Sequence, residues 1–166
     1  RQGVKMRASS NQEMGMTVSI ALHLLSAVIW VGGMFFAYMA LRPAAANTLE
    51  PPARLQLWVQ VFKLFFLWVW LSVITLLITG YWMLFGVFGG FANAGMHIHV
   101  MNGAGILMVL IYFHVFFAPY RKLRHAVVVQ DFAEGGKQLA RIRRLIALNL
   151  SLGVFVVLVA SGGRYL

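Results

Sequence analysis

The sequence predicts an all-α integral membrane protein, a four-helix bundle with both termini on the outer, periplasmic side. Three observations predict it. Of the 166 residues, 61% are hydrophobic and only 11% charged, too apolar a mix for a soluble domain. The apolar residues gather in four runs, each at least about the 20 residues that a helix needs to cross a bilayer. Ten of the 14 Lys and Arg fall in the connections after the first and third runs, and none in the connection after the second. Basic connections stay cytoplasmic, so the ends of the chain lie outside. The same distribution assigns the net charge of +10 to membrane orientation and not to nucleic acid, which would need a basic soluble face. With no cysteine there is no disulfide framework, no thiolate metal site and no covalently attached haem.

Residues 1–16 form a polar N-terminal tail set apart from the fold, and residues 17–166 form one domain. The first span covers about residues 17–41 and closes at Arg42-Pro43. Paired prolines, Pro51 and Pro52, restart a helix whose opening, Ala53 to Lys63, is amphipathic and cytoplasmic. The second span follows over about 64–85; its tryptophans and tyrosines suit packing and interface belts. Gly86, Gly89, Gly90 and Asn93 make a short turn, and the third span covers about 96–117. Pro119 to Arg144 holds seven bases against Asp131 and Glu134 and reads as a solvated loop touching anionic lipid heads, with His125 on its surface. The fourth span covers about 142–163 and ends in Ser161-Gly-Gly-Arg-Tyr-Leu166.

Histidines inside these runs carry the functional argument, because an ionisable residue in a membrane is functional by default. His97 and His99 point to nearly opposite sides of a helix and cannot easily share one ion. His99 shares a face with Gly103, which leaves room for a flat ring. His23 on the first span has Ser26 and Ala27 on its own face. The first and third spans run in the same direction, which places His23 and His99 at depths differing by about 4.5 Å, near the outer face. Two imidazoles from different helices at one depth suit a bis-histidine haem, and Arg164 reaches that level from the fourth span to meet propionates. A second grouping, Met96, His97, His99 and Met101, joins thioether with imidazole and suits copper. His114, about 22 Å deeper than His99, has no partner histidine at its depth and reads as a hydrogen-bonded interhelical histidine.

Ala21-Leu-His-Leu-Leu-Ser-Ala-Val-Ile-Trp-Val-Gly-Gly33, followed by Leu41-Arg-Pro43, resembles the opening helix of the copper resistance D (CopD) superfamily, which includes HemJ-type protoporphyrinogen oxidases. The histidine early in the third span, the pair Phe113-His114 at its end and the basic Tyr120-Arg-Lys-Leu-Arg124 resemble the HemJ arrangement. The resemblance implies a small bundle in the bacterial inner membrane with His23 as a haem or metal ligand, and the CopD name implies copper uptake.

Three readings stay open. In the first, the chain is a b-type haem protein with His23 and His99 as axial ligands and Gly103 and Arg164 beside the ring. It would carry electrons between a quinol, a porphyrin-like reductant or another redox protein and an acceptor. With one axial position open, it would be a HemJ-like oxidase. In the second it binds copper through Met96, His97, His99 and Met101 with His23. In the third it is a structural subunit of a larger membrane complex, or a homodimer, whose polar residues hold helices together.

Overall fold

A computed structural model describes the backbone of residues 2–162 and the side chains of residues 13–162. It is helical throughout its ordered elements, and four of its helical stretches are long and apolar enough to cross a membrane: Glu13–Thr48, Pro51–Gly86, Met96–Val128 and Phe132–Gly162. Large apolar side chains such as Val28, Leu64, Leu67, Ile78 and Leu158 point outward, as a lipid-facing wall requires.

The first helix, α1 (Gln2–Phe36), does not end at Arg42-Pro43. It widens into a π-helical turn, Ala37–Leu41, and continues as α2 (Arg42–Thr48) with Pro43 in its first turn. A proline ring clashes with the carbonyl four residues earlier and offers that carbonyl no N–H. The wider turn, in which the Arg42 N–H reaches back to the Ala37 carbonyl, lets the helix pass the proline without stopping. The second crossing, α3 (Pro51–Gly86), is one unbroken helix opened by the paired prolines. Gly89 and Gly90 turn the chain with φ of 70° and 95°, values glycine adopts without strain. The third crossing, α4 (Met96–Phe117), has the bounds its apolar run predicts.

Pro119 to Arg144 is not a solvated loop. It forms α5 (Pro119–Val128) and the first turns of α6 (Phe132–Gly162). Pro119, Tyr120, Leu123 and Ala126 recur at helical spacing and are buried, so the bases lie on the opposite face of an amphipathic helix. The turn between α5 and α6 is closed by Asp131, whose carboxylate accepts the Glu134 backbone N–H at 2.9 Å in the manner of a helix cap.

Packing pairs α1 with α3 and α4 with α6, while α5 lies along α6 and also meets α3. The core that unites them is aromatic. Phe62, Phe66, Tyr112, Phe116 and Tyr120 interlock with ring centroids 5.0–6.1 Å apart, mostly edge to face. The Tyr112 hydroxyl donates to the Phe66 carbonyl at 3.1 Å, so the polar atom that Tyr112 brings into this layer is satisfied. Leu123 and Ile142 close the core at the end where α5 lies, each with no exposed surface.

Candidate functional site

At the opposite end of the bundle, α1, the last turns of α3 and the start of α4 bring the polar groups together. His23 is half-buried on α1 and faces α3, where its Nδ1 lies 2.8 Å from Thr79 Oγ1. Gly80 makes the approach possible, since a Cβ there would stand 3.3 Å from His23 Cε1. Thr79 is itself committed: its hydroxyl donates to the Thr75 carbonyl at 2.6 Å. A hydroxyl has one proton, so toward His23 it presents a lone pair. With the Thr79 proton on the Thr75 carbonyl, His23 Nδ1 is the donor to Thr79, and Nε2 has no hydrogen-bond partner among the described residues. A ring held through one nitrogen with the other bare is how proteins orient a metal-binding histidine.

His99 lies on the exposed side of α4, stacked on Phe91 with centroids 5.8 Å apart. Phe91 meets Phe85, and Phe85 meets Tyr81, so an aromatic ladder ties His99 to the same end of α3 that holds Thr79. Met96 is the most exposed large apolar residue at this end among the described residues, at 77%. The His97 ring folds back over Gly95, where a Cβ would come within 2.8 Å of it. Because α4 is helical from Met96 onward, Met96 with His99 and His97 with Met101 form two pairs at helical spacing on different faces. Gly103 has open space beside it: among the described residues, nothing lies within 4 Å of where a Cβ would stand.

The depths of His23 and His99 are matched. Gly153 on α6 packs between Val31 of α1 and Met108 of α4. Counted along each helix from that layer, His23 lies about 12 Å and His99 about 13.5 Å toward the same end. The two rings nevertheless have separate partners, Thr79 and Phe91, and α1 packs mainly on α3 while α4 packs mainly on α6. No described contact joins them around one ring-shaped ligand. Arg164, expected to meet haem propionates, lies outside the described residues. His114 is an interhelical histidine as expected: its Nε2 is 3.2 Å from an Arg141 guanidinium nitrogen, which donates across from α6. His125 is exposed on α5.

Two polar residues with structural weight stand out in the fold and not in the sequence. One is Thr79, visible beforehand only as a threonine followed by glycine late in an apolar run. The other is Asn149, a buried amide in the middle of α6 whose Nδ2 lies 3.7 Å from Met34 Sδ. Among the described residues no three His, Asp or Glu side chains converge.

A family model described as copper resistance protein D matches residues 59–162. The chain belongs to the CopD family. The matched part takes in most of α3 and all of α4, α5 and α6. It therefore contains Thr79, Gly80, Met96, His97, His99, Met101 and Asn149. It begins after α1, so the His23 motif that resembles the CopD opening helix lies outside it. No curated protein and no solved structure matches the chain. CopD membership makes this a membrane protein related to copper resistance, and it favours the copper reading over the haem reading.

Proposed function

We propose that this chain binds copper at the histidine end of its bundle and takes part in moving it through the bacterial inner membrane. The observation that carries the proposal is the match to the copper resistance protein D family over the segment that holds Met96, His97, His99 and Met101. The donor chemistry agrees, since thioether with imidazole selects cuprous ion over harder metals. Exposed Met96 and His99 share one face at the head of α4 and receive the ion. His23, oriented through Thr79, is the α1 donor at the same depth. The basic connections support an outer location for this end of the bundle and for both chain termini, the side from which copper would arrive.

The test is a competition titration of the detergent-purified chain with cuprous ion, kept reduced, against a chromogenic chelator. Wild type is expected to hold at least one equivalent, and His23→Ala and His99→Ala each to weaken it by about tenfold or more. A wild type that takes no copper from the chelator sinks the proposal. An absorption spectrum of the same samples decides the haem reading, which requires a Soret band lost in both variants.

A further inference from the structure

The middle of the bundle holds a feature that the outer donors do not explain. Asn149 is 4% exposed; among the described residues its Oδ1 is buried with no hydrogen-bond partner, and its Nδ2 has only the Met34 thioether. A buried amide oxygen without a donor is costly and uncommon, and each case calls for an unplaced ligand or a function. It borders a small cavity of about 20 Å³ between α1, α3, α4 and α6, lined also by Trp30, Met34, Phe66 and Tyr112. That volume suits a single water or a single bare ion.

The lining separates the two. A buried water needs two to four polar partners. Here the Tyr112 hydroxyl is committed to the Phe66 carbonyl, which leaves the Asn149 amide as the strong partner and a thioether as a weak one. A soft monovalent cation finds better company in a thioether sulfur, with the amide oxygen as its second donor. A second thioether lies one helical turn nearer the histidine end. Gly153 is four residues after Asn149 on α6, and a Cβ there would sit 3.2 Å from the Met108 terminal methyl, with Met108 buried to 4% exposure.

We propose that Met34 and Asn149 form a mid-membrane transit site for cuprous ion, reached from the histidine end past Met108. The proposal rests on the copper reading and extends it inward. All the donors are neutral, so the ion keeps its charge and is held loosely, as a site of passage requires. Cuprous ion enters and leaves without change of oxidation state, and no co-reactant is needed.

The experiment uses the full chain in detergent, probed with silver(I) as a redox-silent stand-in and then with copper(I). A variant lacking the outer donors (His23→Ala, Met96→Leu, His97→Ala, His99→Ala, Met101→Leu) isolates the inner site. It is expected to retain about one equivalent of metal, with sulfur in its shell by X-ray absorption. Adding Met34→Leu removes the sulfur signal, and adding Asn149→Leu lowers affinity by at least tenfold. Met34→Leu conserves volume, Asn149→Leu keeps the branched shape of the amide at a larger volume, and a melting temperature within a few degrees of the parent variant confirms folding. A folded outer-donor variant that retains no metal, or retention unchanged by Met34→Leu, overturns the transit site. Wild-type copper binding then judges the outer site separately. If wild type binds and the stripped variant does not, only the transit site fails; if wild type binds nothing, both proposals fall.

Discussion

The two ends of this bundle are built on opposite terms. Where α5 folds under α3 and α6, Phe62, Leu123 and Ile142 are almost wholly enclosed and aromatic rings fill the space between helices. At the histidine end, Leu22, Leu24, Leu25 and Val28 of α1 face outward, and Gly103 and Gly105 of α4 have open space beside them. The closed end has the packing of a scaffold. The open end has polar groups with spare valences, His23 Nε2 above all. An ion site of the kind proposed would belong where side chains are not locked.

The contrast is broken most directly by paired truncations. Phe62→Ala, at a residue 1% exposed, should cost about 3–5 kcal/mol in reversible denaturation from mixed micelles. Leu25→Ala, at a residue 55% exposed, should stay within about 0.5 kcal/mol. Similar costs at both positions would mean that Leu25 packs against something other than lipid. Two adjacent glycines give the next largest effect. A Cβ on Gly33 collides with Phe65 across the α1–α3 contact, whereas nothing among the described residues lies within 4 Å of one on Gly32. Gly33→Ala should therefore destabilise by about 1–3 kcal/mol. Gly32→Ala should be neutral or slightly stabilising by the same measurement.

At the open end the expected change is in copper affinity more than in fold. Thr79→Val removes the acceptor that fixes the His23 tautomer while keeping the side chain's shape. Cuprous affinity should fall about tenfold, the low end for loss of an orienting partner, and Thr79→Ser should restore it. An unchanged affinity in Thr79→Val, with the fold intact, would remove His23 from the donor set.

How much of this was legible beforehand follows the same division. The spans declared themselves through hydropathy, and α4 begins and ends where its apolar run does. His114 as an interhelical histidine followed from its isolation at its depth. Illegible were features in which one signal masked another. In α5 the bases suggested a solvated loop, although Tyr120, Leu123 and Ala126 already marked a buried stripe. Pro43 suggested a helix end, because a π-helical turn that absorbs a proline has no residue signature of its own. Thr79 and Asn149 were single polar residues in apolar runs, and a sequence cannot say which of these will face a partner. The matched depth of His23 and His99 was legible, but the separate partners that hold them apart were not, since both come from side chains on other elements.

Gly103 supplies the smallest and sharpest test. The sequence placed it beside His99 to clear room for a flat ring, and the space beside it is indeed open. If that space is only lipid, Gly103→Ala adds a methyl that touches nothing. It should then stabilise the helix by at most about 1 kcal/mol and leave copper affinity unchanged. If the space is where a planar ligand or another chain lies against α4, the same methyl weakens binding or association while the isolated fold gains its small increment. Denaturation and copper titration of the one variant separate these outcomes. A gain in stability with unaltered copper binding would take Gly103 out of any ligand site and leave its face of α4 as lipid-facing wall.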